Sequence, residues 1–247
     1  MRILLLSDIH GNSDALKTIL ERAPKHDHIW VLGDLVDYGP EPHIVVDMIR
    51  DLKPEIIVRG NHDHAVAFNT DCLCSPKTHE LSVYTRTNIS YKLLAKEQIE
   101  WLRTLPVKIK TRVNGVSFYI VHGSPRNPLY GYLYPNLDYE LVRLYLTPST
   151  MAVRPRLVEA DYVVVGHTHI VLDMRVNSIR VINPGSVGQP RDGDNRASYA
   201  ILDLDRNEFV NYRIKYPIEN TLRKLELLGL ERKYYDWLKR ILLNARV

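Results

Sequence analysis

Ile3-Leu4-Leu5-Leu6-Ser7-Asp8-Ile9-His10 joins a continuous apolar run to an acid and an imidazole. Such a run suits a strand buried on both faces. The polar pair then falls where the strand ends. Downstream, Ala15, Leu16, Ile19 and Leu20 lie at helical spacing within residues 14–22. Residues 29–32 give a second apolar strand. Residues 42–52 give a second helix, with Ile44, Val45, Met48, Ile49 and Leu52 on one face and Pro54 as a stop. Residues 56–58 give a third strand. This alternation predicts a mostly parallel sheet covered by helices.

Further along, residues 70–104 read as mainly helical, entered by a polar stretch at 72–77. Residues 107–112 and 116–121 flank Asn114-Gly115, a strong hairpin signal. Strands are expected at 163–165, 171–176, 179–182, 199–203 and 209–214. Asn177-Ser178 and Asp205-Arg206-Asn207 fit turns between them. Residues 218–243 read as two helices parted near Gly229. The pattern alone gives an α/β class. The chain reads as one domain, 1–247, with 218–247 a C-terminal helical extension.

Bulk properties narrow the function classes. A net charge of +4 over 247 residues fits an anionic substrate but not the basic excess of a nucleic-acid-binding domain. The first apolar run is too short for a signal peptide, and no segment approaches the roughly 20 apolar residues of a membrane span. Two cysteines are too few for a disulfide framework. A cytoplasmic protein that avoids the membrane is therefore expected.

Five polar motifs stand at or near strand ends: Asp8-Ile9-His10, Gly33-Asp34, Gly60-Asn61-His62-Asp63, His122-Gly123 and Gly166-His167-Thr168-His169. Alone, Asp34 could cap a helix, Asn61 could serve a turn, and His122 could be a satisfied core histidine. Loops at the carboxyl ends of strands converge, however, so the five can meet. Imidazole and carboxylate together suit borderline ions such as Mn, Fe, Co, Ni or Zn. One carboxylate has lone pairs enough to bridge two ions. Two such ions about 4 Å apart activate water and clamp a phosphoryl group.

This ordered set resembles the calcineurin-like metallophosphoesterase family, over residues 1 to about 204. The stretch Asn183-Pro-Gly-Ser-Val-Gly-Gln-Pro-Arg191 resembles its small prokaryotic branch, which is phosphodiesterase-like or diadenosine-tetraphosphatase-like. The resemblance implies a two-sheet β-sandwich flanked by helices. It implies a first ion on Asp8, His10 and His169, a second on Asn61, His122 and His167, and Asp34 between them. It implies hydroxide attack on phosphorus, with His62 facing the leaving group and Asp37 orienting His62. Tyr38 departs from the protein-phosphatase branch, where an arginine grips phosphate. Arg191 and then Arg126 are candidates to replace it. Asn12 either touches phosphate or caps the helix near Asp14.

The expected substrate is a small phosphoester or nucleotide. A non-catalytic scaffold of the same fold and a nuclease are the alternatives, and a homodimer stays open. Tyr130, Tyr132 and Tyr134 suggest either an aromatic wall or a packed loop. Cys72 and Cys74 read as loop thiols, since closely spaced cysteines make a strained bridge and a poor isolated metal site. The basic residues of 223–240 read as a solvated helix face.

Overall fold

The computed structural model describes residues 1–148 and 156–247. Two five-stranded sheets form its centre. The first contains β1 (Arg2–Leu6), β2 (His28–Val31), β3 (Ile56–Ile57), β9 (Ala197–Asp203) and β10 (Glu208–Ile214), in the order β10-β9-β1-β2-β3. The second contains β4 (Lys108–Val113), β5 (Val116–Val121), β6 (Tyr162–Val164), β7 (Val171–Val176) and β8 (Ile179–Pro184), in the order β4-β5-β6-β8-β7. β1, β2 and β3 run parallel, as do β5, β6 and β8. The two-sheet sandwich is as expected.

Alternation along β1 explains the layering. Ile3 and Leu5 join Trp30, Leu32, Phe118, Ile120, Val164 and Ile182 in one cluster, drawn from both sheets. Leu4 and Leu6 point the other way, onto α1 (Ser13–Arg22) and α2 (Pro42–Leu52). A strand buried on both faces needs no polar alternation. On the outer face of the second sheet, Tyr119, Val163 and Val181 pack with Val142 of α7 (Tyr139–Tyr145).

Two short helices depart from the sequence reading. α3 (Asn61–Phe68) rises directly from the Gly60-Asn61-His62-Asp63 motif and is buried almost all round. It therefore has no amphipathic stripe to read. α7 was likewise unannounced. The segment expected to be helical from residue 70 begins later, at α4 (His79–Thr85). It continues through a π-turn at Arg86–Ser90, a single turn α5 (Tyr91–Leu93) and α6 (Lys96–Thr104).

The C-terminal helices α8 (Ile218–Leu227) and α9 (Arg232–Asn244) divide beside Gly229. Leu222, Leu225, Leu238 and Ile241 cluster with Tyr38, Leu81 and Ile89. Lys224 ties them further, 2.9 Å from Asp14 and 2.7 Å from Glu41. Among the described residues, no helix is long and apolar enough to cross a membrane.

Candidate metal centre

Parallel pairing brings the carboxyl ends of β1, β2, β3, β5 and β6 to one edge of the sandwich. Each delivers one motif there. The loops are laced together by main-chain bonds. The N–H groups of Ile9 and His10 both donate to the Asp34 carbonyl, at 2.8 and 2.9 Å. Gly188 N–H donates to the Asp8 carbonyl at 3.0 Å, and Gly166 N–H donates to the His122 carbonyl at 2.8 Å. Close approach fixes residue choice: a Cβ on Gly60 would stand 2.0 Å from Asp34 Oδ1.

Two groups of potential ligands result: Asp8, His10, Asp34 and His169, and Asp34, His122 and His167. Asp34 belongs to both. Within each group the ligand atoms lie within 4.8 Å of one another, and all these residues are buried. The sequence reading placed the same six residues on two ions. Asn61 completes the second group, its Oδ1 lying 3.1 Å from His122 Nε2. Its amide donates to the Cys72 carbonyl at 2.8 Å, which fixes the oxygen toward the histidine.

The hydrogen bonds assign the imidazole protons. Nδ1 of His10, His122 and His169 faces the carbonyl of Val36, Leu32 and Gln189, at 2.9, 2.7 and 2.5 Å. A carbonyl only accepts, so each Nδ1 carries hydrogen, and in the neutral ring each Nε2 turns a lone pair inward. His10 Nε2 and His169 Nε2 are then 3.2 Å apart, lone pair to lone pair. His167 Nε2 and Asp34 Oδ2 are buried without a hydrogen-bond partner. Asp34 Oδ2 lies 3.1 Å from His122 Nε2 and 3.7 Å from His10 Nε2. Buried acceptors facing one another are costly unless a cation lies between them. The donor set therefore fits divalent ions.

Protonation agrees. Burial pushes His10 down to about 3 and holds His167 and His169 well below the usual imidazole range. Neutral imidazole is the ligating form. Burial also raises Asp8 to about 6. Asp34 goes the other way. Burial opposes its charge, but His122, His62 and His10 hold the carboxyl well below its usual range. Burial disfavours a charged His122, yet Asp34 raises it to about 9. A proton on His122 stands where a cation would bind.

His62 opens α3 on the flank of this cradle, its ring 5.1 Å from that of His10. Its Nδ1 donates to Asp37 Oδ2 at 2.8 Å. Ser90 Oγ donates to Asp37 Oδ1 at 2.7 Å, and Arg86 Nε to Oδ2 at 3.4 Å. Burial opposes a charged His62, but Asp34, Cys72 and the Asp37 bond raise it to about 9. Tyr38 is buried, its ring centroid 4.9 Å from His10 and 5.0 Å from His62.

The substrate candidates lie differently. Arg191 is half-buried, and its guanidinium donates to Gln189 Oε1 at 2.7 Å. Its charge reaches Asp8, His10, His167 and His169. Asn12 accepts from Ala15 N–H at 3.1 Å at the start of α1 and donates to the Gly188 carbonyl at 3.1 Å. The first is the bond of a helix cap; the second ties that cap to the loop after β8. Arg126 is half-buried on the loop after His122, and its N–H donates to the Tyr145 carbonyl. The Tyr132 ring lies tilted 4.0 Å from the His167 ring and stacks on Tyr134 at 5.5 Å.

Two contributors were invisible in the sequence. Arg86 and Ser90 reach Asp37 from the π-turn, and no local pattern marks them. Asp63 takes the N–H groups of Asp34, Leu35 and Gly60, at 2.8, 2.8 and 2.9 Å. Its place three residues after Gly60 was the available signal.

The calcineurin-like phosphoesterase superfamily domain matches residues 1–207. Protein MJ0912 of Methanocaldococcus jannaschii is 30% identical over 258 residues, covering 96% of this chain and 95% of its own. Phosphodiesterase YfcE of Escherichia coli is 25% identical, over 83% of this chain and 89% of its own. The crystal structure of a metallophosphoesterase from Sphaerobacter thermophilus superposes with a TM-score of 0.79 at 32% identity, covering 97% and 98% of the two chains. The fold and site are those of a hydrolase acting on phosphoester bonds. The chain belongs to the calcineurin-like phosphoesterase superfamily.

Proposed function

We propose that the chain is a phosphodiesterase with two divalent ions. Asp8, His10 and His169 hold one, Asn61, His122 and His167 hold the other, and Asp34 bridges them. The observation that carries this reading is Asp34 Oδ2, buried without a partner between His10 Nε2 and His122 Nε2. When bound, the ions supply an activated water and neutralise the phosphoryl oxygens. Manganese is our first choice of ion, because hard carboxylate and amide oxygens sit beside imidazole. E. coli YfcE, named a phosphodiesterase, supports the diester preference.

The chain's own residues do the rest. His62 stands beside the cradle with Nδ1 anchored on Asp37, which leaves Nε2 free to meet the leaving oxygen. Its raised proton affinity keeps it charged near neutral pH, ready to donate. Arg86 and Ser90 hold Asp37 and so fix the imidazole. Arg191 offers the remaining substrate oxygen a cation, and the bond from Ala15 N–H supports a capping role for Asn12. The shared cluster of α8, α9 and Tyr38 supports one domain over 1–247. Two free thiols fit a reducing, cytoplasmic setting.

A substrate panel tests this reading. Bis-p-nitrophenyl phosphate is compared with the monoester, cyclic nucleotides, dinucleoside polyphosphates and single-stranded DNA, with each metal in turn. We expect diester hydrolysis to exceed monoester hydrolysis in manganese. No turnover of any phosphoester in any metal would favour the scaffold. Turnover of DNA alone would favour the nuclease.

A further inference from the structure

The flank of His62 carries a second cluster of metal-binding groups that the phosphoesterase reading leaves unused. Cys72, Cys74 and His62 each offer one atom, and the three atoms lie within 4.8 Å of one another. The Cys72 thiol is 3.0 Å from Cys74 Sγ and 3.1 Å from Ser82 Oγ. Ser82 Oγ in turn is 3.3 Å from His62 Nδ1, so the hydroxyl sits between sulfur and imidazole. Cys72 is buried and Cys74 half-exposed, which opens a path from solvent. The earlier expectation of loop thiols, poor at binding metal in isolation, missed the imidazole that α3 brings beside them.

We propose that Cys72, Cys74 and His62 form a separate inhibitory site for a thiophilic d10 cation such as Cd²⁺. The Asp/His centre contains no sulfur and suits harder ions; two thiolates and an imidazole suit softer ones. On binding, each thiol loses its proton to solvent. Two sulfur–metal bonds and one nitrogen–metal bond form, leaving a fourth tetrahedral position open. His62 Nδ1 cannot ligate this ion and donate to Asp37 together, so filling the site breaks the pair that aims His62. The Cys72 carbonyl also holds the Asn61 amide, and a shift of this loop reaches the second half of the centre. The inhibitory effect rests on the phosphodiesterase reading; the site itself does not.

Manganese-loaded protein with reduced thiols is titrated with cadmium chloride. Sulfur-to-cadmium charge-transfer absorption is followed in the ultraviolet, and hydrolysis of bis-p-nitrophenyl phosphate in the same samples. Cys74→Ser and Cys74→Ala are run alongside, each referred to its own activity without cadmium. We expect the absorption to saturate at a single equivalent while activity falls about 10²-fold or more, the worth of a general acid. Both variants should lose most of the absorption and much of the inhibition. An absent band, or one equally strong in both variants, overturns the site. Equal inhibition of wild type and variants marks displacement at the Asp/His centre and overturns the coupling. Absence of turnover in manganese without cadmium counts against the phosphodiesterase reading, while the band still decides the site.

Discussion

The two ends of the sandwich both bend the chain through left-handed backbone, but with different residues. At one end, Asn114, Asn177 and Asn207 take positive φ in the turns joining β4 to β5, β7 to β8 and β9 to β10. Asparagine tolerates that conformation. At the other end, Asp8, His10, Asp34, Asp37, Tyr38, His167 and His169 take it, seven of the fourteen such non-glycine residues among those described. Tyrosine there is an outlier, and left-handed backbone costs about 1–2 kcal/mol per ordinary residue. Local propensity accounts for the turns and not for the cradle. Strain of this kind persists where the surroundings over-determine the backbone. Here the lacing of Ile9 and His10 to the Asp34 carbonyl does so. The cradle is shaped for its ligand set, the turns for the chain alone.

Substitutions at the two ends should therefore differ in kind. Asp34→Asn should have the largest effect, with turnover lost and metal content reduced, read by elemental analysis beside activity. Retention of both ions would break the comparison at its centre. His62→Ala should keep the metal and lose about 10²–10⁴-fold in turnover. The loss should shrink for p-nitrophenolate leaving groups, which need little protonation; equal losses across leaving groups would remove His62 from that role.

Chelation comes next. Ions that bind only the folded chain stabilise it by about 3 kcal/mol at a hundredfold excess over Kd. EDTA should lower the melting temperature, since the facing acceptors of His10 and His169 lose what separates them. An unchanged transition would show a cradle indifferent to metal. Asn177→Ala should cost only about 1 kcal/mol in urea unfolding, with metal content and turnover untouched. A loss of activity there would couple two ends that the structure keeps apart.

The sequence exposed the strands and most candidate ligands because their signals are local. An apolar run such as Ile3–Leu6 announces a doubly covered strand, and the polar motifs follow such runs directly. Asn114-Gly115 likewise announces its own turn. What stayed hidden depends on distance or on burial from all sides. α3 lacks an amphipathic face because Asn61, His62, Asp63, Ala65, Val66 and Ala67 are all buried. Arg86 and Ser90 meet Asp37 across 49 and 53 residues, without any pattern to mark them. The imidazole beside Cys72 and Cys74 was hidden similarly, since His62 precedes them on another element.

Anomalous diffraction from crystals grown with manganese tests the central claim most directly. Two peaks about 4 Å apart are predicted, with one Asp34 oxygen or both between them. His10 and His169 should touch one ion, His122 and His167 the other. A single peak, or ions bound away from Asp34, would contradict the account.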